Sequence, residues 1–376
     1  MKRHCIARVV LLVTLAAGAR SALAQTCPVQ PGTNQVNVCP SAAGSDFANT
    51  LGYSPEQLAA MIQNQINDLF QVGDVSKFLQ SFQNAQAFSS KGLGVDYASE
   101  ATLVEVGATL SLVSNVDKAY QPSGAYKNPP ISGGAANFSL MGGVGLGLIG
   151  LDPVMIFGNW FKGSATLGQL NGSYDNWGVH AQLRLFGPTR KSSVAKFVVR
   201  WGGIAITTGA DYSRMTLSAS QSLSSSFNLP AAPGNSTVGN VSVTGGAKVG
   251  GTLSFMLQQT TWTVPIEVTT SLRLLSLITV YGGLGMDLQL GGGSDMQVSM
   301  LDASLSGQIP GATGSTDLGK ASVSVSQHVS PSPARLREII GLQLGIFDIV
   351  RLFLQVNTTG SSPMLTSLAA GLRLGI

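Results

Sequence analysis

The sequence predicts an all-β transmembrane antiparallel barrel of about twelve strands, within a range of ten to fourteen, preceded by an N-terminal helical hairpin. Three observations carry this expectation. Apolar and polar residues alternate with period two, segment after segment, from Lys91 to the last residue. Charged residues are only 11% of the chain, against about 25% in an ordinary soluble domain. No apolar run approaches the roughly 18 residues of a membrane helix, and only helices and closed barrels satisfy their backbones in lipid.

The first element is an export signal, residues 1–24. Lys2, Arg3 and Arg8 precede the apolar run Val9 to Ala17, and Ala22-Leu23-Ala24 fits the small-x-small cleavage rule before Gln25. The run is too short for a spanning helix of about 20 residues. Of the 22 basic residues set against 18 acidic ones, Lys2, Arg3, Arg8 and Arg20 leave with the signal, so the mature chain is balanced in charge. Nothing in that balance points to nucleic acid as a partner.

Residues 25–45 are polar and carry Cys27 and Cys39. An even cysteine pair in an exported chain predicts a disulfide, here closing a short loop. Two cysteines fall short of the four ligands usual in a structural metal site, so neither a metal nor a cofactor is expected.

Residues 46–90 read as a pair of amphipathic helices. Ser54-Pro55-Glu56-Gln57 supplies an N-cap, a proline at the first helical position and the glutamine of a capping box. Leu58, Met61, Ile62, Ile66 and Phe70 follow at helical spacing, and after Gly73 so do Phe78, Leu79 and Phe82. The plain reading is that this apolar face packs on the rest of the protein. The sharper one is a plug in the lumen or a lid on its periplasmic mouth.

Residues 91–376 are the expected barrel. In 277–290, Ile278, Val280, Leu284, Met286 and Leu288 oppose Thr279, Tyr281, Gly283, Gly285 and Asp287. In 350–358, Val350, Leu352, Leu354 and Val356 oppose Arg351, Phe353, Gln355 and Asn357. Apolar outward and polar inward is the membrane-barrel pattern. Strands are expected at 102–114, 136–149, 160–171, 174–186, 196–208, 211–224, 238–256, 261–273, 277–290, 335–346, 350–358 and 364–376. The count falls to about ten if 208–238 is one extended outer loop. Tight turns at 274–276 and 347–349 and long connections at 115–135 and 291–334 fit short periplasmic turns and longer outer loops. The last of these alternates weakly and reads as an outer hairpin. Trp160, Phe161, Trp177, Phe186, Trp201, Trp262 and Phe347 fall near strand ends, as an interfacial aromatic belt requires.

Together these features resemble Gram-negative outer-membrane β-barrel proteins. The terminal Gly371-x-x-Leu374-x-Ile376 is similar to the strand signal such proteins present to the barrel-assembly machinery, although an aromatic usually stands where Ile376 does. The resemblance implies residence in the outer membrane, with outer-membrane lipid and the assembly machinery as partners. An N-terminal segment ahead of the barrel is also reminiscent of the hatch of long-chain fatty-acid channels, whose Asn-Pro-Phe motif is absent.

Lumen charge is the strongest candidate for function. Arg184, Arg200, Arg273, Arg351 and Arg373 fall near predicted periplasmic ends, on inward positions. A ring of one sign selects ions in a pore and would favour anionic solutes. The structural alternative is that the ring pairs with Glu267, Asp287 or acids of the helical segment. Gly143, Gly145 and Gly147 share an inward face and would let another backbone approach. His328-Val329-Ser330 places a base next to a hydroxyl, but in a predicted loop and without an orienting third group. No enzyme is expected. The reading is a passive channel or transporter for small hydrophobic or anionic solutes, gated by the N-terminal helices. The alternative is a non-transporting surface protein or adhesin acting through its outer loops. A lumen filled by side chains and helices would count against transport.

Overall fold

The computed structural model describes residues 35–70, 75–98, 103–115, 134–186, 199–229, 245–275, 277–308, 314–346, 349–360 and 364–375. The export signal, Cys27, Phe347 and Ile376 lie outside the described residues. The chain forms two compact units. One comprises residues up to Phe70 with Gln221–Leu253 and Ser299–Val325, and the other comprises Gln71–Ser220, Ser254–Val298 and Ser326–Ile376.

Strand β1 (Gln35–Pro40) is followed by helices α1 (Ala42–Thr50), α2 (Pro55–Phe70) and α3 (Val75–Ser89). Eleven strands come next: β2 (Val104–Asn115), β3 (Gly134–Gly145), β4 (Val154–Leu167), β5 (Leu170–Phe186), β6 (Val199–Leu229), β7 (Gly245–Leu274), β8 (Ile278–Gln308), β9 (Thr316–Val329), β10 (Ala334–Ile346), β11 (Val350–Thr359) and β12 (Leu365–Gly375). All twelve strands belong to one sheet. Strands β2 to β8 and β10 to β12 close on themselves, because β8 pairs with both β7 and β10 while β12 pairs with β2. Strands β9 and β1 extend the sheet from β8.

Side-chain direction in this ring is the reverse of a soluble barrel. On β11 Leu352, Leu354 and Val356 are exposed, whereas Gln355 and Asn357 are 1% and 0% exposed. On β12 Leu368, Leu372 and Leu374 face out while Ser367 and Arg373 are buried. The same holds on β2, where Val106, Leu110 and Leu112 are exposed and Glu105, Thr109 and Ser111 are not. Hydrocarbon is the medium that suits such an outer face. The protein is a transmembrane antiparallel barrel, and Leu354→Arg on β11 is expected to lower barrel stability by about 2–4 kcal/mol. Denaturant unfolding in lipid vesicles, compared with Gln355→Asn on the inward face, measures it.

Several expected boundaries move. The strands placed at 196–208 and 211–224 are one 31-residue strand, β6, and those placed at 238–256 and 261–273 are one 30-residue strand, β7. The hairpin expected within 291–334 is formed by β8, which runs on to Gln308, and β9. A membrane needs only about 9–11 residues of tilted strand, so long stretches of β6, β7 and β8 lie beyond the hydrocarbon. There, nothing in the surrounding medium limits strand length. Three residues separate β7 from β8, and three separate β10 from β11, while a tight turn joins β4 to β5 at the opposite end of the ring. Residues 91–98 form no strand and are wholly buried.

The expected helical hairpin resolves into three helices. The capping box forms as read: Ser54 N donates to Gln57 Oε1 at 2.9 Å and Gln57 N donates to Ser54 Oγ at 3.2 Å. The backbone amide at this helix start and the Ser54 hydroxyl hold the Glu56 carboxyl below its ordinary pKa. Leu58, Ile62 and Ile66 of α2 join Phe47 of α1 and its C-cap Leu51 in a core with Leu229, Val249, Met300, Leu305, Leu318 and Val323, and Met61 packs against it. Three of the seven candidate plug residues thus sit in the first unit's own core, and a fourth, Met61, lies against it. Their face is used in packing, the plainer of the two expectations. The side chains of Phe70 and Phe78 are outside the described set. Phe82, on α3, belongs to the second unit.

Candidate functional site

Helix α3 and the segment that follows it fill the ring of the second unit. Polar residues on α3 and just after it predict exposure in water, yet Ser81, Gln83, Asn84, Gln86, Ser89, Ser90 and Lys91 are all buried. Their partners are inward positions of the strands. Gln83 Nε2 donates to Thr260 O at 3.0 Å, and Gln83 Oε1 accepts from Ser294 Oγ at 2.8 Å. Ser294 Oγ also accepts from Gln259 Nε2 at 2.6 Å. Apolar contacts alternate with these bonds. Leu79 and Phe82 pack with Leu257 and Met296, and Ala85 and Phe88 pack with Val113 and Leu365. Deeper along the chain, Val95 and Tyr97 pack with Met141, Met155, Phe157 and Tyr281. Gly143 is inward as read, and its missing side chain leaves room for the Phe157 ring.

Of three buried charge groups, two tie this filling to the wall. In the first, Lys91 Nζ lies 2.9 Å from Asp211 Oδ2, and His180 Nε2 lies 3.1 Å from Asp211 Oδ1. In the second, Asp96 lies 3.0 Å from Arg373 Nη1 and 3.4 Å from Arg351 Nη1. Glu105 lies 3.5 Å from each of those guanidinium groups. Arg373 also donates to Val95 O at 2.7 Å and stacks 3.8 Å above the Phe353 ring. Gln182 Nε2 donates to Asp96 O at 3.2 Å. The third group joins wall to wall: Arg337 pairs with Glu267 and, at 3.1 Å, with Asp287, and donates to Asn357 Oδ1 at 3.2 Å.

Buried charges are tolerated when paired and hydrogen-bonded, and removal of one partner costs about 3–5 kcal/mol. These groups therefore hold a defined arrangement and leave little unbalanced charge for a solute. Of the five candidate ring arginines, Arg351 and Arg373 meet in one cluster. Arg184, Arg200 and Arg273 are half-buried. Glu267 and Asp287 are engaged by Arg337, which the sequence reading left out. Lys91, Asp96, Glu105 and Asp211 were missed as well. Glu105 and Asp211 sit on inward positions of their strands, a signal that was present, whereas Lys91 and Asp96 lie in a segment with no period.

No catalytic constellation emerges among the described residues. His328 Nδ1 lies 2.7 Å from Asp295 Oδ1 with both side chains exposed, so its partner is a carboxylate and not the neighbouring Ser330. No group of three metal-ligating side chains occurs among the described residues. Cys39 lies on β1, and its expected partner Cys27 is outside the described set.

The solved structures to which this chain is similar include three membrane proteins. The translocator domain of the autotransporter NalP from Neisseria meningitidis is 12% identical, with 81% of this chain and 99% of that chain covered and a TM-score of 0.32. The CymD monoaromatic hydrocarbon channel is 8% identical, with 82% and 98% covered and a TM-score of 0.26. Ail, the attachment invasion locus protein of Yersinia pestis, is 13% identical, with 73% and 100% covered and a TM-score of 0.21. No curated protein matches the sequence. A family model described as Lsa36-like matches residues 44–376, nearly the whole chain, and this protein belongs to that family.

Proposed function

We propose that this protein is a closed outer-membrane barrel that acts at the cell surface through the parts of its long strands beyond the lipid, and is not an open channel. The observation that carries this reading is the filled lumen. Residues 81–98 are buried almost without exception and are tied to the wall through Lys91–Asp211 and through Asp96 with Arg351 and Arg373. A passive pore needs a wide, water-lined path. Strands of 30 and 31 residues are well beyond the length that the bilayer requires. Export by the Met1–Ala24 signal, assembly by the barrel machinery and a Cys27–Cys39 disulfide accompany this reading, and no catalysis does.

Planar-bilayer recording tests it. The full mature chain is expected to give no stable conductance steps, and a variant lacking residues 75–90 is expected to give them. Steady steps from the full chain overturn the closed-barrel reading and restore solute passage. The second reading, a gated transporter, is favoured by one observation: the lumen wall is hydrophilic, with Thr109, Ser139, Asn176, Gln182 and Gln343 all turned inward.

A further inference from the structure

The outward face of β4, β5 and β6 carries a sharp change of chemistry. In register across the three strands, Trp160 faces Trp177, and Trp177 faces Tyr212. Trp262 completes the group, with ring centroids 5.3 Å from Trp177 and 4.8 Å from Tyr212. Trp177 stands nine positions from Phe186 at the far end of β5, the length a tilted strand uses to cross the hydrocarbon, about 9–11 residues. Aromatic girdles mark that boundary.

Two positions further from the lipid, the outward row is Lys162, Asp175 and Arg214, again in register. The next outward row is Ser164, Ser173 and Thr216. These two rows line a recess of about 390 Å³. Lys162 and Arg214 are exposed. Among the described residues no ion pair engages Lys162, Asp175 or Arg214. Two cations, one carboxylate and three hydroxyls thus face outward at the depth of lipid headgroups.

We propose that this recess binds the phosphate-bearing headgroup of an anionic lipid whose acyl chains lie against the tryptophan cluster. Arg214 offers a planar fork that matches phosphate oxygens, and Lys162 a flexible point charge. Ser164, Ser173 and Thr216 donate hydrogen bonds to the remaining oxygens. Asp175, between the cations, accepts from hydroxyl or amine donors of the same headgroup. An inorganic phosphate would meet the cations but would leave the carboxylate and the aromatic surface unused.

The test uses the mature protein in phosphatidylcholine vesicles with small mole fractions of phosphatidic acid brominated on its chains, which quench nearby tryptophans. Each basic residue near a membrane surface contributes about fivefold in association with anionic lipid. Lys162→Gln and Arg214→Gln are each expected to raise the mole fraction for half-quenching about fivefold, and the double variant about thirtyfold. Brominated phosphatidylcholine is expected to quench the native protein and the double variant alike. Both side chains are exposed, and retained heat-modifiable gel migration reports an intact barrel. Identical phosphatidic acid curves for native and double variant overturn the proposal. Relief of quenching by millimolar inorganic phosphate overturns it too, because the recess then takes a free anion and not a lipid.

Discussion

Arg373→Ala is expected to lower the unfolding free energy of the barrel by about 3–5 kcal/mol. The guanidinium is 0% exposed and bridges two carboxylates, Asp96 at 3.0 Å and Glu105 at 3.5 Å. Truncation leaves both acids in a buried site with only Arg351, whose closest approaches are 3.4 and 3.5 Å. It also removes the hydrogen bond to Val95 O and the stacking on Phe353. Arg373→Ala combined with Glu105→Gln should recover part of the loss, because one uncompensated charge disappears. Urea titration in lipid vesicles, read by tryptophan fluorescence and gel migration, measures both variants. Equal stability of Arg373→Ala and the native chain would show that the cluster contributes no net stabilisation.

Asp211→Asn is expected to loosen the lumen filling while the ring itself stays assembled. Asp211 holds Lys91 Nζ at 2.9 Å and His180 Nε2 at 3.1 Å, one on the filling and one on the wall. Without the carboxylate, Lys91 is a buried cation with no counter-charge, a state that costs about 3 kcal/mol or more. The segment answers by opening, and a loss of that size raises its open population roughly a hundredfold. Hydrogen exchange of residues 75–98 should accelerate by that factor, with the amides of β10, β11 and β12 unchanged. A uniform acceleration across both sets would mean that filling and ring unfold as one unit, which runs against a gated lumen.

The two-faced strands were legible because lipid and lumen impose opposite chemistry on successive residues. Thus 350–358 and 364–376 match β11 and β12 closely. The capping box at Ser54 and Gln57 was equally plain, since it depends on local geometry alone. The long strands were not. Gly209-Ala210 reads as a break between two strands, yet both lie within β6, next to Asp211, an inward residue held by Lys91. Gln258-Gln259-Thr260 reads as a turn, yet Gln259 points inward to Ser294. Small and polar residues signal turns in water, and a polar lumen uses the same residues in mid-strand. Arg337 escaped notice for a different reason. Its importance follows from register, which the order of residues alone does not give: β10 lies beside β8, with Arg337 two positions from the partner of Asp287.

The seam between β12 and β2 bears on biogenesis. Leu365 and Val113 stand on its two sides, and both rest on Phe88 and Ala85 of the helix within. A helix that touches both edges of this line adds apolar contact when the two strands meet, so its seating favours closure of the wall, as a mandrel gives its shape to what is wound around it.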